Sequence, residues 1–164
     1  MTVLWRIAAD DAAVHSLIEA SDRAAAQRSG TPAPARRLSS TRALVAGRLV
    51  HVGTVDGVPV ATVTVGPVPS FDASAEPLLP SAARPWYMQR LAVHPRCPDP
   101  LAGARAVRQA IRTAADGGAD VLRAEANPDL PDVLRLLTAL GFVRYGTVDT
   151  PAPRRTRLQR PVGP

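Results

Sequence analysis

The sequence predicts an α/β (α+β) fold from two observations, a β-hairpin signal in its first half and a βαβ signal farther along. Two Val- and Thr-rich segments, at 49–55 and 58–65, are separated by Asp56-Gly57, a dipeptide that tolerates positive φ and is typical of tight hairpin turns. The βαβ signal predicts a right-handed crossover, which brings the start of the helix to the carboxyl end of a strand, where anions and ligands commonly bind. Its strand, helix and strand lie at 86–93, 102–115 and 119–126.

Hydrophobic spacing and helix-end signals predict the remaining elements. A short strand at 3–7 precedes a helix that Asp10 or Asp11 can cap and that fades near Gly30. The Pro- and Arg-rich segment that follows cannot continue a helix and is expected to be a loop. The other predicted elements are a short helix from Ser39 or Ser40, a helix from Asp129 or Pro131, a strand at 142–148 and a last strand in the tail.

Length and composition predict one soluble globular domain. The chain has 164 residues, of which 46% are hydrophobic and 21% charged, so it can bury a core. It has no internal repeat and no long linker, and a single domain over 1–164 is expected. All 20 basic residues are arginine and exceed the 14 acids, which gives a net charge of +6. The absence of lysine excludes chemistry that needs a lysine nucleophile or a Schiff base.

Cysteine usage and hydropathy predict the compartment. The single cysteine, Cys97, has no disulfide partner within the chain, and no Cys/His cluster offers a metal site. The first residues lack the apolar core of a signal peptide. The longest uncharged stretch, between Asp56 and Asp72, is too short for a bilayer and contains three prolines. We therefore expect a cytoplasmic protein with no bound metal and no membrane segment.

Four short motifs follow one another in the second half of the chain. They are RLAVHP at 90–95, the helix-opening AGARAV at 102–107, Asn127 just after the next predicted strand, and LGF at 140–142 before the closing strand. Together they resemble the GNAT superfamily of acetyl-CoA-dependent acyltransferases, whose order of elements fits nearly the whole chain. The resemblance implies a mixed, mostly antiparallel central sheet that is flanked by helices and has two splayed central strands.

The resemblance also implies where acetyl-CoA would bind. In the superfamily, the strand equivalent to 86–93 splays from its neighbour, and the pantetheine arm lies against free backbone groups, here those of Leu91 and Val93. The pyrophosphate would bind at the next loop and helix start, where unpaired N–H groups and the helix dipole favour negative charge. Gly103 would allow close approach, and Asn127 could bond the pantetheine amide or cap the next helix. The other implied cofactor-binding residues are Ala102, Ala104, Arg96 and Arg105, the last of which fits a solvated helix face equally well.

Two departures from the superfamily pattern affect this expected site. The residues before the helix usually include Gln or Arg and two small residues, but here 98–104 is PDPLAGA, so Asp99 or Pro98 takes the first position. Proline has no N–H to give, and Asp99 would repel a pyrophosphate unless it turns away. We therefore expect acetyl-CoA to bind, but weakly. The tyrosine that commonly lies four residues before Gly141 and protonates the departing thiolate is Leu137 here.

Candidate catalytic residues lie on three of the predicted strands. An amine that attacks a thioester must lose a proton, usually to a carboxylate or to a water that it positions. Glu125, near the ligand end of its strand, is the leading candidate for this base, and a solvated strand-end glutamate is the competing interpretation. Tyr87 and Gln89 share one strand face and could orient water or substrate, although Tyr87 fits a packed aromatic equally well. Tyr145, Tyr87 or solvent could protonate the thiolate, while His15 is expected on a helix surface.

The sequence therefore predicts an N-acetyltransferase that moves an acetyl or other small acyl group from CoA to a primary amine by direct attack in a ternary complex. A small-molecule amine is the expected acceptor, and because lysine is absent the protein can acetylate itself only at its N-terminus. Two alternatives remain open. A transferase that uses or modifies aminoacyl-tRNA is suggested by the pI near 11.1, and a non-catalytic binding subunit by the missing tyrosine and the prolines. A homodimer is common among proteins that resemble this one, and the turn-rich insert at 66–85 is a candidate lid or solvated loop.

Overall fold

The computed structural model describes residues 2–163, which form four helices and one seven-stranded mixed sheet. The elements are β1 (Leu4–Ile7), α1 (Asp11–Ser29), α2 (Leu38–Ala46), β2 (Val50–Val55), β3 (Val58–Gly66), β4 (Pro85–Val93), α3 (Ala102–Asp116), β5 (Val121–Ala126), α4 (Pro131–Ala139), β6 (Val143–Val148) and β7 (Arg155–Pro161). The strands follow the order β1-β2-β3-β4-β5-β7-β6. Antiparallel pairing predominates, which confirms the predicted fold class.

The hairpin and the parallel strand pair predicted from the sequence are both present. Asp56 and Gly57 adopt φ of 50° and 79° at the tip of the β2–β3 hairpin, as the turn requires. Strands β4 and β5 pair in parallel over the first four residues of each strand, which end at Met88 in β4. Arg90 in β4 has φ of 53°, a value uncommon for a residue other than glycine. Regular strand geometry is therefore interrupted two residues beyond the paired segment.

The first of two compact units runs to Thr64 and resumes over Arg90–Gln109. The Asp10 side chain accepts a hydrogen bond from the N–H of Ala13 at the start of α1, and Gly30 ends this helix with φ of 70°, both as predicted. Each large aliphatic side chain buried in the core stabilises the fold by about 1.5–3 kcal/mol. The main core cluster of this unit consists of Ala8, Val14, Leu17, Ile18, Val45, Val50, Val52 and Ala92.

The second compact unit covers Val65–Gln89 and continues from Ala110. Gly117 lies after α3, and a Cβ added there would clash with the indole ring of Trp86. A glycine is therefore needed where this connection passes close to the ring. The most deeply buried large side chains of the unit are Leu122, Leu137 and Leu158. The expectation of a single domain over 1–164 remains a prediction.

The insert between β3 and β4 is anchored to the strands of the second unit. Arg123 donates from Nη2 to the carbonyl oxygen of Pro80 at 3.0 Å, and Arg157 donates from Nη1 to that of Pro77 at 3.3 Å. Leu79 is buried, and a Cβ added at Gly146 would lie 2.7 Å from Pro77 Cβ. These contacts anchor the segment around Pro77 and Leu79, while most of the remaining insert is exposed, and its role as a lid or a solvated loop remains a prediction.

Strand β5 begins at Val121, two residues later than predicted. The N–H of Ala119 still donates to the carbonyl oxygen of Ala114 in the turn that closes α3. The carboxylate of Asp120 accepts from the N–H groups of Ala83 at 2.7 Å and Arg84 at 3.1 Å. Partial desolvation raises the pKa of Asp120, but these and other backbone hydrogen bonds together hold it below its usual range. Asp120 therefore holds the end of the insert through hydrogen bonds to the backbone of Ala83 and Arg84.

Candidate functional site

The loop that follows β4 bonds largely to itself. His94 accepts at Nδ1 from the N–H of Arg96 at 3.1 Å, and its carbonyl oxygen accepts from the N–H of Cys97 at 2.8 Å. Because Nδ1 is an acceptor here, the neutral imidazole carries its proton on Nε2. Pro98 and Pro100 have no N–H to offer. The loop predicted to bind a pyrophosphate thus uses two of its N–H groups internally.

The carboxylate of Asp99 accepts hydrogen bonds from residues at the start of α3. Oδ1 accepts from the N–H of Leu101 at 2.9 Å, and Oδ2 accepts from Nε of Arg105 at 2.8 Å. The hydrogen bond from Leu101 lowers the pKa of Asp99, and the bond from Arg105 does so too, although desolvation opposes both. Only 7% of the Asp99 side chain is exposed. The acid is therefore turned onto its own helix and paired with Arg105.

The first turn of α3 retains two N–H groups for an outside acceptor. The N–H of Ala102 donates to the carbonyl oxygen of Asp99 at 3.2 Å. For Gly103 and Ala104, no acceptor among residues 2–163 bonds the N–H, as is usual in the first turn of a helix. These two donors and the positive end of the helix dipole can stabilise an anion.

Backbone groups at the end of β4 are less free than the resemblance implies. The N–H of Val93 donates to Oγ of Ser21 on α1 at 3.4 Å, a long hydrogen bond, and the N–H of His94 donates to the carbonyl oxygen of Val60 at 2.8 Å. Leu91 is half-buried. Ser21, which the sequence did not single out, therefore accepts from the same N–H of Val93 that the resemblance implies for a pantetheine carbonyl.

An open groove of about 320 Å³ lies beside this loop, within the first unit. Four of its lining residues lie on one face of α1, since the other three follow Ala20 by three, four and seven positions. Within the described part of the chain, the guanidinium groups of Arg23 and Arg96 take part in no ion pair or hydrogen bond. The groove is lined by Ala20, Arg23, Ala24 and Gln27 of α1 and by His94, Pro95 and Arg96 of the loop.

A polar network in the first unit was missed at the sequence level. Nδ1 of His15 lies 2.9 Å from Oγ1 of Thr41, which also accepts from Nη1 of Arg90 at 2.9 Å. Nε2 of His15 lies 3.2 Å from a carboxylate oxygen of Glu19. The expectation of His15 on a helix surface is wrong, because α2 brings Thr41 against its ring. The four-residue spacing of His15 and Glu19 was the available signal.

In the second unit, Glu125 on β5 lies opposite Arg157 on β7. Glu125 Oε2 is 3.7 Å from Nε of Arg157 and 3.6 Å from Nε of Arg155, both too long for hydrogen bonds. Among residues 2–163, neither Glu125 Oε2 nor Arg157 Nε has a hydrogen-bond partner, and both atoms are buried. Desolvation raises the pKa of Glu125, although the two arginines oppose this effect. A carboxylate of raised pKa accepts a proton more readily than an ordinary glutamate, which makes Glu125 a candidate for proton transfer.

Tyr87 is packed among aromatic and guanidinium groups of the second unit. Its hydroxyl oxygen accepts from Nη1 of Arg123 at 3.0 Å, and its ring meets Phe71 edge-on with centroids 5.3 Å apart. Arg123 also donates from Nε to the side-chain oxygen of Gln159 at 2.9 Å. Gln89 is half-buried, whereas Tyr87 is only 5% exposed. Tyr87 thus has the packing expected of a structural aromatic, while its hydroxyl proton stays free to be donated.

The remaining residues of interest in this unit differ in exposure. Tyr145 is 37% exposed on β6, beside the irregularity in its pairing with β7. Asn127 accepts at Oδ1 from the N–H of Asp129 at 2.9 Å, so its oxygen shapes the turn before α4. Leu137, which stands where the resemblance would imply a tyrosine, is buried in the core. Tyr145 is therefore the more accessible of the two tyrosines.

Arginines near the carboxyl end of the chain form ion pairs and hydrogen bonds within the second unit. Arg154 pairs with Asp129 at 2.7 Å, and Arg155 donates from Nη1 to two carbonyl oxygens of the preceding loop. Arg160 donates from Nε to the carbonyl oxygen of Leu140 at 2.7 Å. Much of the basic charge in this segment therefore has partners inside the protein.

Two kinds of feature are absent from residues 2–163. No helix there combines the length and apolarity needed to cross a bilayer. No three His, Cys, Asp or Glu side chains of the described chain are grouped as metal ligands.

Solved structures resemble the whole chain, although no protein-family model and no curated protein sequence matches it. A chain of the NatC complex bound to Gag peptide and CoA aligns with a TM-score of 0.75 at 14% identity, over 98% of this chain and 99% of that one. The Salmonella typhimurium protein yncA, solved with its cofactor acetyl-CoA, aligns with a TM-score of 0.72 at 19% identity, over 99% and 95%. A GNAT-family acetyltransferase from Streptococcus agalactiae aligns with a TM-score of 0.73 at 18% identity, over 97% and 95%. The chain has the fold of GNAT-family acetyltransferases.

Proposed function

We propose that this protein is an N-acetyltransferase, which transfers an acetyl group from acetyl-CoA to a primary amine by direct attack. The observation that carries the proposal is a fold similarity that extends over 97% to 99% of the chain. One of the similar structures contains CoA and another contains acetyl-CoA. Because one fold can host unrelated activities, the proposal also needs residues suited to the donor and to the acceptor.

The first compact unit offers groups that suit the phosphates of the donor. The free N–H groups of Gly103 and Ala104 lie at a helix N-terminus, which favours an anion. Asp99 does not exclude a phosphate, because its carboxylate is already paired with Arg105. The donor loop nevertheless gives fewer free N–H groups than a loop without prolines would, which supports the expectation of weak binding.

Glu125 is the proposed general base. A primary amine is protonated near neutral pH, so a group must take a proton before or during attack on the thioester carbonyl. The ammonium group first passes one proton to Glu125, and the neutral amine then attacks the thioester carbonyl. The new N–C bond forms as the C–S bond breaks, the electron pair leaves on sulfur as a thiolate, and the second proton lost from nitrogen balances the proton that the thiolate takes up. The raised pKa of Glu125 makes it a better proton acceptor than an ordinary glutamate.

Protonation of the thiolate can use Tyr145 or solvent. Leu137 has no proton to give and is buried. Tyr87 keeps a hydroxyl proton but is almost completely covered. A thiolate is a fair leaving group, so the reaction tolerates the absence of a dedicated acid at the position of Leu137.

Two acceptor classes fit the proposal. A small-molecule amine is the first, as expected from the sequence. The amino terminus of a peptide is the second, because the NatC complex was solved with a Gag peptide. The aminoacyl-tRNA alternative depends on free basic surface, and Arg154, Arg157 and Arg160 are engaged within the protein.

Two measurements test the proposal. Calorimetric titration with acetyl-CoA is expected to show binding, and no binding at millimolar acetyl-CoA would overturn the proposal. Free thiol is expected to appear only when an amine is added, with small primary amines and short peptides compared in one panel. Binding without thiol release for any amine would favour the non-catalytic alternative. Copurified RNA that dissociates steeply with salt would favour the tRNA alternative.

Gly103→Glu tests the donor site itself. A carboxylate at the start of α3 would repel phosphate and fill the space that glycine leaves, so acetyl-CoA affinity is expected to fall below detection. Ala115→Glu is the control, because it adds the same charge at the far end of the same helix. Equal affinity of the two variants would mean that the phosphates bind elsewhere.

A further inference from the structure

Arg157 on β7 links the insert between β3 and β4 to Glu125. Its Nη1 donates to the carbonyl oxygens of Ala75 and Pro77 in the insert. Its guanidinium carbon also lies 5.0 Å from the centroid of the Phe71 ring, a distance typical of a cation–π contact. Its Nε is 3.7 Å from Oε2 of Glu125. One buried arginine therefore lies against both the insert and the proposed base.

The contacts of Arg157 with the insert leave its Nε without an acceptor. Among residues 2–163, neither this Nε nor Glu125 Oε2 has a hydrogen-bond partner, although both atoms are buried. A move of about 0.8 Å would bring the two atoms to an ordinary N–H···O distance of about 2.9 Å. Because a charge-assisted hydrogen bond is stronger than a neutral one, the pair is expected to close unless other contacts hold the guanidinium. The insert supplies such contacts.

Two further cations lie near Glu125, and each has other partners. Nε of Arg155 is 3.6 Å from Oε2 of Glu125, but Nη1 of Arg155 donates to two carbonyl oxygens of the loop before β7. Arg123 precedes Glu125 by two positions on β5 and so shares its face of the sheet. It donates to the Tyr87 hydroxyl on β4 and to acceptors on β7 and in the insert. Arg157 is therefore the nearby cation with a buried, unbonded donor beside the carboxylate.

The charge of Arg157 also acts on the insert. Two hydrogen bonds from Ser74 hold the pKa of Asp72 below its usual range, and the positive charge of Arg157 adds to this effect. On β6, the residue opposite Arg157 is Gly146, so this strand brings no charge to that position. Burial raises the pKa of Glu125 in spite of the two arginines, which agrees with distances too long for hydrogen bonds.

We propose that Arg157 is a positioning residue, which the insert holds at a distance that leaves the Glu125 carboxylate free to accept a proton. The two carbonyl oxygens and the Phe71 ring keep the guanidinium from closing on Oε2. When these contacts are lost, Nε forms a hydrogen bond with Glu125, which stabilises the carboxylate and weakens it as a base. The insert therefore controls the basicity of Glu125 through Arg157. The inference rests on the proposed function in one respect, namely that Glu125 is the base.

The test is an NMR titration of Glu125 in protein labelled with ¹³C at the glutamate Cδ. The chain has three glutamates, Glu19, Glu76 and Glu125, so three carboxyl signals are expected, and Glu125→Gln identifies the one that belongs to Glu125. This readout needs neither acetyl-CoA nor an amine. It therefore measures the effect of the insert on Glu125 independently of activity.

Phe71→Leu is expected to lower the pKa of Glu125 relative to the wild type, because it removes the ring that Arg157 contacts and lets Nε close on the carboxylate. Phe142→Leu is the control, since it removes the same ring from another buried position of this unit and should leave that pKa unchanged. Circular dichroism and melting temperature confirm that each variant is folded. An unchanged or higher pKa in Phe71→Leu would overturn the inference, and so would an equal fall in both variants.

Entry of water near Glu125 would lower its pKa as well, and a second background separates this cause. In Arg157→Met, the further change Phe71→Leu is expected to leave the pKa of Glu125 unchanged, because the cation through which the ring acts is absent. The same fall as in the wild-type background would assign the effect to hydration and overturn the inference. If Arg157→Met does not fold, the ¹⁵Nε signal of Arg157 decides. It should respond more strongly to ionisation of Glu125 in Phe71→Leu than in the wild type, and an equal or smaller response would overturn the inference.

Activity separates this inference from the proposed function. In Phe71→Leu, kcat for thiol release at neutral pH is expected to fall by about twofold to fivefold, and the acidic limb of the pH profile to move to lower pH. A fall in the pKa of Glu125 with no change in the pH profile would show that Glu125 is not the base, while the link between the insert and Glu125 would stand. If the wild type releases no thiol with any amine, the proposed function fails and the titration still decides on the link.

Discussion

Glu125 and Arg157 face each other across the β5–β7 ladder with their buried Oε2 and Nε atoms 3.7 Å apart, and neither atom has a hydrogen-bond partner within residues 2–163. In a buried ion pair at hydrogen-bonding distance, the attraction between the charges offsets much of the free-energy cost of desolvating them. At the longer distance between Glu125 and Arg157, the attraction offsets less of that cost. Desolvation accordingly raises the pKa of Glu125 in spite of Arg157 and Arg155. Incompletely satisfied titratable groups of this kind are concentrated at functional sites.

Glu125→Gln is expected to lower kcat by about 10²- to 10⁴-fold, because the amide keeps the size of the side chain but cannot accept the amine proton. Steady-state thiol release at saturating acetyl-CoA is the measurement. Glu76→Gln is the control, since Glu76 is an exposed glutamate of the insert. Activity of Glu125→Gln close to that of the control would show that another group is the base.

The raised pKa of Glu125 also predicts how stability depends on pH. Because the folded-state pKa lies above the unfolded value, the folded protein binds more protons than the unfolded chain between these two values. Through this residue, the folded state therefore gains stability as pH falls through that interval and loses it as pH rises. Urea unfolding of the wild type and Glu125→Gln at pH 7 and pH 5 measures the effect. The free energy of unfolding of the wild type, taken relative to that of Glu125→Gln, should be larger at pH 5 than at pH 7. A smaller value at pH 5 than at pH 7 would contradict the raised pKa.

Asp99→Asn is expected to tighten acetyl-CoA binding by about fivefold at low salt. The amide oxygen can still accept from the N–H of Leu101, while the variant removes a negative charge from the loop and frees Arg105. Titrations at two salt concentrations should show the gain shrinking as ionic strength rises.

The control for this variant is Asp116→Asn, which removes the same charge from an exposed position at the other end of α3. Its affinity for acetyl-CoA should equal that of the wild type. A gain of the same size in both variants would assign the effect to net charge rather than to the loop.

The fold could be predicted from the sequence because its strongest signals are local. The turn at Asp56-Gly57 needs positive φ at both residues, and Gly30 ends α1 with a left-handed conformation, so residue type alone identifies both places. The start of β5 was misplaced because the residues before it, Ala119 and Asp120, bond to partners in the α3 turn and in the insert. Such partners are distant in sequence and leave no periodic signal.

The candidate site was less predictable, for the same physical reason. The motif predicted a donor site at the loop after β4, but the pairing of Asp99 with Arg105 and the use of the Arg96 N–H by His94 depend on how the loop folds. Arg23 could not be separated from an ordinary solvated arginine, because its groove exists only once α1 lies beside the loop. Thr41 likewise reaches His15 through tertiary packing.

Arg123→Met is expected to release the insert. The guanidinium of Arg123 donates to Tyr87, Gln159 and the carbonyl oxygen of Pro80, and methionine fills similar space without donors. Each acceptor left unsatisfied in the interior costs about 1–3 kcal/mol, so a loss of about 2–4 kcal/mol in free energy of unfolding is expected. Hydrogen exchange and limited proteolysis should show faster exchange and cleavage within 67–84.

Arg108→Met is the control for this variant, since Arg108 is an exposed arginine of α3. It should leave stability and protection of the insert unchanged. Unaltered protection of 67–84 in Arg123→Met would mean that the other contacts of the insert are sufficient to hold it.

Gly117→Ala is expected to destabilise the protein by about 1–3 kcal/mol, because the added methyl group would overlap the indole ring of Trp86. Trp86→Phe removes the overlapping part of the ring, so Gly117→Ala should cost much less in that background. A double-mutant cycle by urea unfolding should therefore give a favourable coupling of about 0.5–3 kcal/mol. Gly118→Ala is the control, since Gly118 has φ of 86° and its added Cβ would meet Arg84 rather than Trp86. Its cost arises from backbone strain and should be the same in both backgrounds, whereas equal costs of Gly117→Ala in both backgrounds would refute the contact with Trp86.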